Sequence, residues 1–356
     1  MSGRCFLGID TSNYKTSVAL VDEDGEILAN HQRFLTVKEG ERGLRQSDAV
    51  FQHVNRLPEM MEQLFRKPGG FDGREIAAVS VSERPRPVEG SYMPVFMAGL
   101  AVARSTAAAL GVPLYRVSHQ EGHIEAVRHG TPLERSKRFI SFHFSGGTTE
   151  AILVEEREAG TSYQIVGGSR DISYGQLLDR VGVALGMHFP CGAELDEIAM
   201  KSSGGSVSGV GWHNGNRGCG VTLSKDAAEK SGKNPETVRI PVIRSKDGWI
   251  NLSGIETCCQ RLIREGAETE ALTRALFREI TVSIGTMTRQ IAEKYDVADF
   301  LYAGGVSSSQ YVRTHLDTGT RRYFGAPELS ADNAVGVALS GGKYYAAEAC
   351  QRNTTE

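Results

Sequence analysis

The sequence predicts an α/β protein with mixed or mostly parallel sheets, arranged as two related lobes. Three observations lead there. Strand-like and helix-like segments alternate along 356 residues, the pattern of sheets flanked by helices. A strand, a small-residue turn and a second strand occur at residues 6–21 and again at 139–154, roughly 135 residues apart, as an internal repeat gives. The length also exceeds one average core, so two units of ~150 residues are expected. The implied division is 1–131 with 326–356 as one lobe and 132–325 as the other.

Taken in order, residues 6–11 and 16–21 are apolar strands around the turn Ser12-Asn13-Tyr14-Lys15. Asp22-Glu23-Asp24-Gly25 is a second turn. Residues 76–82 read as a strand. Residues 94–110 read as a helix entered through Pro94 and closed by Gly111, and 112–117 as the strand that completes a βαβ unit. Ser118 and Glu121 form an S-x-x-E capping box, so a helix is expected to start at His119. The second lobe repeats the opening around Ser145-Gly146-Gly147-Thr148. An amphipathic helix follows Asp171, and a strand, glycine turn and helix start are expected around Ala303-Gly304-Gly305-Val306. Residues 201–248 are polar, glycine-rich and weakly periodic, so a loop-rich insertion without core is expected there. A last helix begins near Asp332, which is placed in its first turn.

Composition narrows the function classes. With 40% hydrophobic and 23% charged residues the chain reads as an ordinary globular protein. It has neither an apolar run long enough to span a membrane nor a secretory leader, so a cytoplasmic location without membrane association is expected. Six cysteines without paired spacing argue against disulfides and zinc ribbons. A net charge of −3 argues against tight nucleic-acid binding through a basic surface. A local strip such as Arg42, Arg45, Arg84 and Arg86, or a partner protein, would have to supply it.

Several side chains carry chemistry, and each has a plainer reading beside it. His119 and His123 share one helix face at i, i+4, as two ligands of a metal or as a solvated pair. Gln120 stands where zinc proteases carry the general-base glutamate of H-E-x-x-H, which disfavours peptidase chemistry. Asp332 is a third ligand or a helix-capping acid. His143 shares a strand face with Ser141 and Ser145, as a fourth ligand or a half-buried, hydrogen-bonded histidine. Asp171 can accept from ribose hydroxyls or cap a helix. The turns at 145–148 and 304–305 expose amides that suit a phosphate, or they are ordinary turns.

Together these pieces resemble the TsaD family (also called Gcp), the tRNA threonylcarbamoyltransferases of the actin-like ATPase, ribonuclease H-like fold. The resemblance rests on Gly8-Ile9-Asp10-Thr11-Ser12, the helix from Pro94, His119 to His123 as H-x-E-G-H, and Ser145-Gly146-Gly147. It continues through Asp171 to Asp179, Pro190 to Asp196, Leu252-Ser253-Gly254, Ala303-Gly304-Gly305-Val306-Ser307 and Asp332-Asn333-Ala334. It implies two lobes with a nucleotide and metal cleft between them. His119, His123 and Asp332 are implied as ligands of one divalent ion, Fe or Zn, with His143 in the place of a tyrosine ligand of some members. An adenine nucleotide, as ATP, ADP or carbamoyl-adenylate, is implied at Ser145, Gly146, Gly147 and Thr148, at Asp171, Gly192 and Asp196, and at Gly304, Gly305 and Ser309.

The sequence departs from the family around the reacting centre. Where the family opening reads E-T-S-C-D-E-T, this chain has Asp10-Thr11-Ser12-Asn13-Tyr14-Lys15-Thr16, so Tyr14 and Lys15 replace two acids. Asp10 and Lys15 are the candidate catalytic residues. Residues 84–92 replace a glycine-rich loop, Thr148 follows the S-G-G motif, and Ser309 stands where an asparagine is expected. These changes mark a divergent paralogue. The resemblance implies transfer of a threonylcarbamoyl group from threonylcarbamoyl-AMP to the tRNA adenosine beside the anticodon, with tRNA delivered through accessory subunits and a homo- or heterodimer as partner state. The alternatives are a carbamoyltransferase with a small-molecule or protein acceptor, and a non-catalytic assembly paralogue.

Overall fold

The structure, a computed structural model, describes residues 3–12, 14–37, 44–66, 75–157, 160–201, 219–221, 238–330 and 332–355. The chain divides into two compact units, Met1–Glu134 with Gly325–Glu356, and Arg135–Phe324.

In the first unit β1 (Cys5–Thr11), β2 (Lys15–Asp22) and β3 (Ile27–Phe34) form an antiparallel meander. Helix α1 (Gln46–Phe65) leads to β4 (Ile76–Arg84), which runs parallel to β1. Then α2 (Phe96–Leu110) and β5 (Leu114–Ser118), parallel to β4, complete a βαβ unit. The sheet order is β3-β2-β1-β4-β5. Helices α3 (His119–Arg128) and α9 (Val335–Thr355) finish the unit.

Every residue of β1 is buried, because helices cover both faces of the sheet. Leu7, Ile9, Val18, Leu20, Val79 and Val81 pack with Leu57, Met60 and Leu64 of α1 and with Ala98, Ala103 and Ala107 of α2. On the alternate positions Phe6, Ala19, Val21 and Ala78 pack with Ala126 of α3 and with Val335 and Ala338 of α9.

The second unit repeats the plan. Strands β6 (Arg138–Phe144), β7 (Thr149–Arg157) and β8 (Gly160–Ser169) form the meander, and β12 (Asp299–Ala303) and β13 (Arg321–Phe324) add in parallel beside β6. With β11 (Trp249–Ile250) at the edge, the order is β11-β8-β7-β6-β12-β13. Ile140, Phe142 and Phe144 of β6 pack against α4 (Tyr174–Ala184), α5 (Gly192–Lys201), α6 (Ser253–Arg264) and the long α7 (Thr269–Tyr295). Helix α8 (Gln310–His315) precedes β13.

Three expectations are corrected. Helix α2 starts at Phe96, because residues 94 and 95 form a turn. Helix α9 starts at Val335, not around Asp332: the Asn333 Oδ1 accepts the Val335 amide at 3.0 Å, so Asn333 fills the capping role and Asp332 lies before the helix. Most of the insertion at 201–248 lies outside the described residues. Its described end does enter the core: β9 (Cys219–Val221) and β10 (Val238–Ile240) form a short antiparallel pair, and Ile240 in β10 and Ile243 beyond it are buried. Polar flanking sequence hid those isoleucines. No helix among the described residues is long and apolar enough to cross a membrane.

Candidate metal centre and nucleotide loops

The capping box forms as expected: Ser118 Oγ accepts the Glu121 amide at 3.1 Å and Glu121 Oε2 accepts the Ser118 amide at 2.5 Å. It fixes where α3 begins and so puts His119 and His123 on one face. Their rings meet edge to face at 4.4 Å between centroids. What brings Asp332 to them is a close crossing of α3 and α9. A Cβ on Gly336 would run into the Gly122 carbonyl and come within 2.5 Å of the Ala126 amide, and a Cβ on Gly122 would come within 2.8 Å of Val337 Cγ2. Two glycines let the backbones approach, and the segment before α9 then delivers Asp332.

His123 Nε2 lies 2.9 Å from Asp332 Oδ1 and 3.0 Å from His119 Nε2, and His119 Nε2 lies 3.6 Å from Asp332 Oδ1. All three ligand atoms fall within 4.8 Å of one another. Ligands about 2.0–2.1 Å from one tetrahedral ion sit ~3.3 Å apart, so this donor set fits a metal with little adjustment. Behind it, His119 Nδ1 donates to Asp10 Oδ1 at 2.9 Å, and Ser82 Oγ donates to the same oxygen. That bond leaves His119 Nε2 as the ring nitrogen facing Asp332, as a carboxylate behind a ligating histidine does.

The charges tell the same story. Burial pushes the His119 pKa down, but the carboxylates of Asp10 and Asp332 outweigh it and hold it well above the ordinary histidine value. Burial pushes Asp332 up, and His119 and His123 overcome this to keep it well below the carboxylate range. Negative charge has been gathered around a proton that a divalent cation can replace.

Lys15 is buried beside this cluster. Its Nζ donates to Gln32 Oε1 at 3.0 Å and lies 4.5 Å from the Phe34 ring centroid. Burial lowers its pKa and Asp332 opposes that. Tyr14 is exposed. Of the residues that sequence reasoning passed over, Ser12 donates to Asp332 Oδ2 at 2.6 Å, and the fully buried His53 of α1 bonds the same turn. The signal for His53 was present: it sits on the apolar stripe Ala49, His53, Leu57, Met60, Leu64, where a histidine is out of place.

The nucleotide candidates lie in the second unit. Ser145 Oγ accepts the amides of Gly147 and Thr148 at 3.3 and 3.1 Å, and the Ser145 amide bonds the Thr148 carbonyl at 2.8 Å. Gly146 and Gly147 border open space, and Ser173 Oγ at the start of α4 donates to the Gly146 carbonyl at 2.8 Å. Gly304 has φ +90°, and a Cβ there would strike the Phe144 carbonyl, so only glycine fits. Gly192 opens α5 and Gly305 opens a short 3-10 turn, both beside open space.

The Asp171 carboxylate accepts the amides of Ile172, Leu252 and Ser253 at 2.7–2.9 Å. Asp196 accepts from Ser309 Oγ at 2.5 Å and from the amides of Gln310 and Tyr311 at 2.7 and 3.1 Å. Both acids thus anchor the loops around them. His143 is half-buried on β6, opposite Glu150 of β7 and Ala303 of β12. Of the basic strip, Arg84 pairs with Glu83 at 3.2 Å, and Arg42 lies outside the described residues.

Residues 26–339 match the model of TsaD, tRNA N6-adenosine threonylcarbamoyltransferase. The chain belongs to the TsaD family. Among its relatives, the tRNA N6-adenosine threonylcarbamoyltransferase of Streptococcus pneumoniae strain Taiwan19F-14 is 27% identical over 96% of this chain and 92% of that one. The protein of that name from serotype 2 strain D39 is 29% identical over 89% and 84%. Two solved structures share the fold. HypF of T. kodakarensis superposes with TM-score 0.55 at 11% identity over 95% of this chain and 48% of its own. Component A of the (R)-2-hydroxyglutaryl-CoA dehydratase of Acidaminococcus fermentans gives 0.52 at 15%, over 96% and 99%. At these identities the likeness is one of fold, the actin-like ATPase fold. A TsaD-family chain of this kind carries its His119, His123 and Asp332 on the elements described above.

Proposed function

We propose that the protein is a metal-dependent threonylcarbamoyltransferase that uses threonylcarbamoyl-AMP to modify the tRNA adenosine beside the anticodon. The convergence of His119, His123 and Asp332, with Asp10 behind His119, carries this reading, together with membership of the family.

In the transfer the adenosine amine forms a bond to the carbamoyl carbon, the bond from that carbon to the phosphate oxygen breaks, AMP leaves with the electron pair, and the amine proton passes to water. His119, His123 and Asp332 would hold the ion, Fe or Zn, which when bound supplies Lewis-acid polarisation of a donor oxygen. Asp10 keeps His119 in the Nδ1–H tautomer, and Lys15 is the candidate source of positive charge beside Asp332. The turn Ser145, Gly146, Gly147 and Thr148 is the place proposed for the donor phosphate, because Gly146 and Gly147 border open space, although the amides of Ser145, Gly147 and Thr148 are bonded within the turn itself. Asp171, Gly192, Asp196, Gly304, Gly305 and Ser309 shape the adenosine side. The tRNA arrives through accessory subunits.

The experiment is transfer to tRNA by purified protein given threonylcarbamoyl-AMP and the bacterial accessory subunits, read by nucleoside mass spectrometry beside His119→Ala. Modification that the variant loses is expected. A second reading, transfer to a small-molecule or protein acceptor, rests on the divergence of residues 14–15 and 84–92 from the family pattern. A protein that keeps metal and nucleotide but leaves tRNA unmodified supports that alternative.

A further inference from the structure

We infer that His53 is a positioning residue of the metal centre, acting through Ser12 on Asp332. The inference rests on the metal reading proposed above and adds to it a part that lies on α1.

His53 is fully buried on the helix face that otherwise packs Leu57, Met60 and Leu64 against the sheet. An imidazole there loses its water, so both ring nitrogens must find partners. They do. Nε2 is 2.9 Å from the Ser12 carbonyl, and Nδ1 is 2.8 Å from Thr16 Oγ1. A carbonyl only accepts, so Nε2 carries the proton and Nδ1 accepts from the Thr16 hydroxyl. The neutral ring therefore clamps both ends of the turn between β1 and β2. Burial lowers its pKa, in keeping with a neutral ring, against the hydrogen bond to Ser12 and the charge of Asp10.

The Ser12 hydroxyl held by this clamp donates to Asp332 Oδ2 at 2.6 Å. With Oδ2 taken, Oδ1 is the oxygen left to face His123 Nε2 and His119 Nε2. Without that bond the carboxylate is free to turn about its own axis and the three donor atoms disperse. A proton-transfer role for His53 is excluded by its complete burial and its two occupied nitrogens.

The test is Zn²⁺ affinity, by competition with a chromophoric chelator, for the full chain and for His53→Asn, His53→Gln, Ser12→Ala and His53→Asn with Ser12→Ala, each checked for folding by circular dichroism. A glutamine amide reaches the place of Nε2 and can still donate to Ser12, whereas an asparagine amide reaches only the place of Nδ1. Loss of about 10-fold or more is expected for His53→Asn and for Ser12→Ala, as for other partners of metal ligands. His53→Gln should stay close to the original protein, and the double variant should lose no more than the worse single one. A folded His53→Asn protein with lower melting temperature and unchanged affinity overturns the inference, as do losses that add in the double variant. Should His53→Asn not fold, Thr16→Val must lower the affinity instead, since it removes the hydroxyl that orients the ring, and no loss there overturns the inference. An original chain that binds no Zn²⁺ overturns the metal reading itself, which is distinct from binding that His53 does not affect.

Discussion

Asp10 is buried completely. Its Oδ1 accepts from His119 and Ser82, while Oδ2 has no hydrogen-bond partner among the described residues. A carboxylate so placed is destabilising unless a nearby positive charge compensates it, and the one it faces is carried by His119 or by an ion on the far side of that ring. Asp10→Asn keeps the shape and removes the charge. Zn²⁺ affinity is expected to fall about 10-fold, measured by chelator competition, and an unchanged affinity would show that the charge behind His119 does not matter. Asp10 stands out in the sequence because it falls in a motif, and Lys15 because it departs from one. His53 was not singled out, because its spacing on α1 is that of a core position and only the packed structure shows which polar atoms it meets.

Among the elements, the crossing of α3 and α9 decides whether the donor atoms meet. In Gly336→Ala the new methyl meets the backbone of Gly122 and Ala126, which cannot move aside as a flexible side chain can. A loss of about 1–3 kcal/mol is expected from overpacking, read from urea unfolding, together with weaker metal binding. A second element depends on one acid. Asp171 holds the start of α6, and although burial would raise its pKa, the bonds from Ser253, Leu252 and Ile172 keep it well below the usual carboxylate range. A depressed folded-state value means that its stabilisation is complete above the unfolded pKa of about 3.9 and fades as pH falls toward the folded value. Asp171→Asn should therefore cost about 1 kcal/mol at neutral pH, and the gap between the two proteins should narrow in unfolding curves taken below pH 4. The capping box of α3 was legible because its signal is local in sequence. The start of α9 was misplaced because Asp332 and Asn333 are equally good caps on paper, and only the contact of Asp332 with the histidines separates their roles.

For the whole molecule, the metal reading proposed above would tie the stability of the first unit to metal, because its ligands come from residues 119, 123 and 332. At free metal about 100 times its dissociation constant, binding to the native state contributes about 2.7 kcal/mol. Differential scanning fluorimetry should show melting raised by Zn²⁺ and lowered again by chelator, and a His119→Ala protein indifferent to both. Equal response of the variant would place the effect elsewhere.

The sequence by itself determined the α/β class, the repeat of the opening hairpin, the register of the α3 histidines and the family. All of these depend on patterns local to a few residues or on motif order. Only the tertiary structure decided how the chain brings Asp332 to His119 and His123, that Asp171 and Asp196 are occupied by backbone amides, and that Ile240 and Ile243 belong to a core. The reason is physical. A side chain's partners are set by which backbones can approach, and at α3 and α9 that approach is granted by Gly122 and Gly336, two residues with no side chain to announce it.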